Sequence, residues 1–163
     1  METAVITKDE AKHLEWLSEA TVDDRNRFVL STLHLEPTQI VTADGFRVHA
    51  VPRTNESNTG GHTDGKASFS TLPSEGLLKN TAMREGIIPV ELAEGNYPDV
   101  ATILPQDNPV FEIAVNAEYL RDALQGADGK VALRLYGKDR ALEVYGNRSG
   151  AKRWDTIPFY ALI

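Results

Sequence analysis

The chain has no cysteine among its 163 residues, which removes disulfides, thiolate chemistry and every cysteine-containing zinc site at once. It also lacks any apolar run approaching the roughly 18–20 residues needed to cross a bilayer, so no membrane span is expected. Its opening Met1-Glu2-Thr3-Ala4 has no basic stretch followed by an apolar one, so no signal peptide is expected and a cytoplasmic protein is. Positive charge is scarce: 17 Lys and Arg against 24 Asp and Glu leave a formal charge of −7. Proteins that grip DNA through many phosphate contacts usually carry a basic surplus, so that class is disfavoured, although a locally basic face is compatible with an acidic whole. What is present is ordinary for globular proteins: 41% hydrophobic and 25% charged residues. That is enough chain for one domain with a real core, or for two very small ones.

Residues 3–6 read as a short strand. Thr7 followed by Glu10 has the spacing of a capping box, in which each side chain satisfies a free backbone amide. Residues 9–20 contain neither Gly nor Pro, and Ala11, Leu14 and Leu17 recur at helical spacing, widened by Trp16 and Ala20; a helix with one buried side is expected. Strands are expected over residues 27–36, 38–43 and 46–51, with Asp44-Gly45 as the turn between the last two.

The final third repeats the order. Residues 110–115 read as a strand, Asn116 as an N-cap, 117–125 as a short helix with Leu120 and Leu124 one turn apart, and Gly126 as its C-terminal cap. Val131, Leu133 and Leu135 then alternate with Ala132, Arg134 and Tyr136, the period of a half-buried strand. Leu142 and Val144 alternate in the next strand, and residues 157–163 make a last one. The expectation is an α+β domain of two pseudo-symmetric β-α-β-β-β units, both helices packed on one face of a curved antiparallel sheet. The first half covers about 1–51, the second about 110–163, and a flexible insertion and connector about 52–109 lies between them. Within that middle part residues 52–70 are polar and Gly-rich and read as a loop or hairpin tip, 72–92 hold short apolar groups that read as strands, such as Gly86-Ile87-Ile88-Pro89-Val90, and 96–109 hold three prolines and read as an extended connector.

Catalytic chemistry finds little support. Gly60, Gly65 and Lys66 match the first part of a phosphate-binding loop, but Ala67 lacks the hydroxyl that would hold magnesium. His13, His34, His49 and His62 are scattered and form no metal pair, although His34 and His49 could meet across the sheet. The serines lack a nucleophile turn. No enzyme, no metal and no cofactor is expected.

Residues 27–36 (RFVLSTLHLE) followed by 40–48 (IVTADGFRV) resemble the bacterial sliding clamps, the DNA polymerase III β subunit family, whose middle domain has a similar strand pair around a Thr-Asp-Gly-His-Arg-Leu-like turn. Asn96-Tyr97-Pro98-Asp99 through Ile103-Leu104-Pro105 is similar to the Phe-Pro-Asp…Val-Leu-Pro connector of that family. Residues 111–124 resemble its last helix unit, and Phe159-Tyr160-Ala161-Leu162-Ile163 the start of its closing strand. The resemblance covers most of 1–51 and 96–163 and leaves 52–95 largely unmatched. Phe46 stands where the family usually has histidine, and one clamp-like domain stands where the family has three.

The resemblance implies a processivity factor that self-associates into a ring around duplex DNA. A closed ring is held by topology, so an acidic chain is compatible with the task. Lys8, Lys12 and Arg121 are the helix-side cations available to face DNA. The resemblance also implies a hydrophobic groove for short peptide motifs of a DNA polymerase or clamp loader, at Leu30, Gly45, Phe46, Arg47, Val48, Pro98, Ile103, Ala161 and Ile163. Leu30, Val48 and Ile103 would serve equally as core, and Arg47 could bind a peptide carbonyl or carboxylate. The alternative is an adaptor or decoy that uses the groove without encircling DNA.

Overall fold

The computed structural model describes residues 2–23, 25–53, 68–81, 83–125, 127–137, 140, 142–148 and 159–161. It is α+β, and it divides into two compact units, Met1–Leu104 and Pro105–Ile163. The division falls inside the stretch expected to be a connector within one domain.

Unit 1 opens with β1 (Glu2–Ile6) and α1 (Lys8–Ser18). The capping box forms as expected: the Thr7 hydroxyl accepts from the Glu10 amide at 3.3 Å, and the Glu10 carboxylate accepts from the Thr7 amide at 2.9 Å. Leu14 and Leu17 are fully buried, so the apolar stripe of α1 faces the core. Next come β2 (Thr32–Leu35), β3 (Gln39–Ala43), β4 (Val48–Pro52), β5 (Gly76–Lys79), β6 (Gly86–Val90) and β7 (Leu92–Ala93). Five of these strands form one antiparallel sheet in the order β4-β3-β2-β5-β7, whereas β1 pairs with β6 in a separate two-stranded ribbon among the described residues.

The register assigns the faces. Leu35 lies opposite Ile40, and Ile40 opposite Val51; all three are buried in one cluster with Leu14, Leu17, Ala4, Ile6 and Ile88. Thr42 lies on this face, fully buried, and its hydroxyl donates to the Leu17 carbonyl at 2.8 Å, pinning α1 to β3. The core of unit 1 is therefore sandwiched between the sheet, α1 and the β1–β6 ribbon.

Three expectations are corrected here. Residues 25–31 form 3₁₀ turns kinked at Arg27 (φ −130°, ψ 46°) instead of the start of a long strand. The hydroxyls of Ser31 and Thr32 donate to the carbonyls of Phe28 and Val29, both at 2.6 Å, and such local bonds compete with a strand ladder. The strand expected at 86–90 forms as β6, but residues 68–93 are part of unit 1 rather than an insertion between two halves: β5 pairs with β2 over four residues, β6 pairs with β1, and Phe69 is fully buried. Finally, the described strands form three sheets rather than one curved sheet. The remainder of the Gly-rich middle, with Gly60, His62, Gly65 and Lys66, lies outside the described residues.

Unit 2 contains α2 (Ala117–Leu124), β8 (Ala127–Leu135), β9 (Leu142–Arg148) and β10 (Phe159–Ala161), the strands ordered β10-β9-β8. The Asn116 side chain caps α2, accepting from the amides of Glu118 and Tyr119 at 2.9 and 3.2 Å. Ala123 from α2 packs with Leu142 and Val144 in a small core, bordered by Val115, Leu120 and Val131. The strand expected over 110–115 is absent. Val110 is fully exposed and Phe111 half exposed; an apolar run does not make a strand where no neighbour among the described residues supplies the ladder. Gly126 lies outside the described residues, as do all residues of the expected last strand except 159–161.

Among the described residues no helix is long and apolar enough to cross a membrane.

Candidate functional site

Leu30, the 45–48 turn and Pro98 sit on three segments that the fold fastens together. Gly95 packs against the 3₁₀ turn that holds Leu30: a Cβ at Gly95 would stand 2.7 Å from Val29 Cγ1 and 3.3 Å from Phe28 Cζ, at a φ of +150°. Two residues on, the Tyr97 hydroxyl accepts from the Ala43 amide at 2.8 Å. The stretch carrying Pro98 is thus tied both to the turn before β2 and to the end of β3 that leads into Gly45. Gly95→Ala should cost about 2 kcal/mol, from left-handed backbone strain plus the collision with Val29. Urea denaturation measures that loss, and amide exchange should show the 95–97 amides opening first.

The turn between β3 and β4 is built by Asp44. Its carboxylate accepts from the amides of Phe46 (2.9 Å) and Arg47 (3.1 Å) and from Arg47 Nε (2.9 Å), an Asx turn completed by a charged pair. The Phe46 amide first, then the Arg47 guanidinium, hold the Asp44 carboxyl below its ordinary value. Gly45, at φ +92°, takes the conformation that lets the chain reverse. Arg47 reaches past Asp44 to donate to the Glu19 carbonyl at the end of α1, where a cation meets the negative end of the helix dipole. Arg47 is therefore engaged within unit 1 at the place where a peptide contact was expected.

The apolar positions divide. Leu30 is 6% exposed and belongs to the interior, and Val48 is half-buried at the start of β4. Phe46 is 99% exposed and Ile103 68% exposed, while Pro98 is also exposed. Phe46 is thus a knob on a rigid hairpin tip rather than the wall of a pocket. Ala161 lies in β10 of unit 2, opposite Leu142, and Ile163 lies outside the described residues.

Of the expected DNA-facing cations, Lys8 is exposed in the first turn of α1 and Arg121 in the last turn of α2. Lys12 lies 3.5 Å from Asp9 in an exposed pair. The other exposed charges on α1 and its cap are Glu15 and Glu19, so the solvent face of this helix is not basic.

Sequence reasoning missed the aromatic contacts. His34 and His49 lie on opposite faces of the sheet, since His34 is opposite Val41 and His49 opposite Thr42. They find different partners: His34 stacks on Tyr97 (centroids 4.8 Å apart) and His49 on Trp16 (4.0 Å, planes within 8°). Burial raises the Tyr97 phenol above its ordinary value, although the Ala43 amide opposes the shift. No periodic signal marks Tyr97, which comes from an irregular segment, so only tertiary placement could have found it. Among the described residues no three His, Asp or Glu side chains stand together as a metal site.

Compared with known proteins, the chain matches no protein-family model and no curated sequence.

Proposed function

We propose that this chain is a clamp-like DNA processivity factor, a binding protein rather than an enzyme, in which copies join edge to edge in a ring around duplex DNA. A polymerase or clamp loader would dock by a short peptide motif near the β3–β4 tip. The observation that carries the proposal is the pair of helix-plus-antiparallel-sheet units, each ending in strand edges with no neighbour among the described residues: β4 and β7 in unit 1, and the nine-residue β8 in unit 2. The five-residue β4 and the nine-residue β8 are long enough to invite pairing with another chain, and head-to-tail pairing of unlike edges generates a ring when the rotation closes. The convergence of the 28–30, 43–47 and 95–98 segments supports the docking part, with exposed Phe46 as an anchor of the kind that dominates interfaces.

A second reading has its own support. The carboxylates on the solvent face of α1 and the Lys12–Asp9 pair favour an adaptor that binds clamp-motif peptides as a monomer. Native mass spectrometry combined with retention on circular DNA decides between them. A closed oligomer that stays on circular DNA in high salt and leaves after linearisation is expected of the ring. A monomer that binds a clamp-motif peptide, with affinity lost in Phe46→Ala, supports the adaptor. A monomer that binds neither overturns both.

A further inference from the structure

Apart from the hairpin tip, unit 1 has a cleft of about 450 Å³ at the ends of β2 and β5, lined among others by His34, Glu36, Glu75, Leu77, Asn96 and Tyr97. That volume lies in the range of small-ligand sites. The lining includes two carboxylates and no Lys or Arg. One Glu36 oxygen, Oε2, accepts from Gln39 Nε2 at 2.6 Å; the other, Oε1, lies 3.4 Å from His34 Nδ1. That imidazole nitrogen is shut off from solvent and makes no hydrogen bond. The Glu75 carboxylate has no partner among the described residues. One wall is the Tyr97 ring stacked on His34, and burial together with the Ala43 hydrogen bond keeps the Tyr97 ring in place.

We propose that this cleft binds a guanidinium or alkylammonium group, seated against the Tyr97–His34 pair and met by the carboxylates of Glu36 and Glu75. The chemistry of the lining selects the charge. An anion would enter against two carboxylates, and a neutral group would leave Glu75 without a charged partner. A planar or alkyl cation meets Glu75 directly, adds a charged contact to Glu36 by charge-assisted hydrogen bonds, and is attracted to the face of an aromatic ring. Leu77 and Pro37 give the alkyl stem an apolar surface. The volume holds one such group with its stem, so the source is either a free polyamine-like molecule or a single Arg or Lys side chain of a partner.

The test is an amide-resolved NMR titration of the full chain with agmatine, with an acetyl-Gly-Arg-Gly-amide peptide, and with the same peptide carrying citrulline. Saturable shifts at Gly76, Gly95 and Asn96 with the charged probes, and none with citrulline, are expected. Glu75→Gln should weaken binding about tenfold, as loss of a charge-assisted contact does. Equal binding of agmatine and peptide assigns a free amine; binding of the peptide alone assigns a partner's side chain. Shifts scattered over the acidic surface, no saturation up to about 10 mM, or undiminished binding in a folded Glu36→Gln/Glu75→Gln variant would overturn the proposal.

Discussion

Phe69→Ala should destabilise unit 1 by about 3–5 kcal/mol, the cost of emptying a fully buried aromatic site that can only partly collapse. Phe69 is 0% exposed and packs in the same cluster as Leu14, Leu17, Leu33 and Leu78. Its backbone stands at φ +45°, in the left-handed region, which a bulky side chain rarely adopts. Buried charged groups hold it there. The Glu10 carboxylate accepts from its amide at 2.7 Å, and its carbonyl accepts from Arg53 Nη2 at 3.1 Å. Arg53 also donates to the carbonyls of Pro73 and Leu72, at 2.8 and 3.2 Å, so one guanidinium ties down the whole 69–73 turn. Urea denaturation measures the loss. A cost below about 1 kcal/mol would mean that this turn lies outside the cooperative unit, because a fully buried phenylalanine cannot be removed so cheaply from within one.

Glu10→Ala should cost about 2–3 kcal/mol, since it removes the reciprocal half of the helix cap and leaves the buried Phe69 amide without an acceptor. The charge itself can be isolated with Glu10→Gln and acid titration. Burial on its own would raise the Glu10 carboxyl. Hydrogen bonds from the Thr7 and Phe69 amides and from the Thr7 and Ser68 side chains outweigh it, so the folded value falls below the ordinary 4.5. A depressed folded value stabilises the protein at pH above 4.5, and that contribution disappears as pH falls through the lowered folded value. The stability gap between the natural chain and Glu10→Gln should therefore be full at neutral pH and close on acidification. Thermal melts of both proteins across pH 3–7 measure it, and a gap independent of pH would refute the assigned role.

Local signals were legible where the residues act on near neighbours. The capping box at Thr7 and Glu10, the Asn116 cap and the Asp44-Gly45 turn all formed where the sequence put them, because each is a contact over two or three residues. The same carboxylate of Glu10 also reaches Phe69, 59 residues away, and nothing in the spacing announces that second duty. Residues 110–115 and 27–31 show the opposite failure. Both are rich in residues that favour strands, yet one has no strand partner among the described residues and the other spends its hydroxyls on local turns. Neither the outward orientation of Phe46 nor the reach of Arg47 to the end of α1 could be read from the residues alone.

By itself the sequence determined the helix starts at Thr7 and Asn116, the hairpin turn, the inward Leu142 and Val144 of β9, and an acidic chain without thiol chemistry, whereas Leu133 and Leu135 of β8, expected to face a core, are exposed. Those follow from local stereochemistry and composition, which act before any fold exists. The tertiary structure alone decided that residues 68–93 complete the first unit, that β1 leaves the main sheet to pair with β6, and that Tyr97 closes a carboxylate-lined cleft over His34. Strand partners and cleft walls come from residues far apart in the chain, and which of them meet depends on the burial and hydrogen-bond satisfaction of the whole unit.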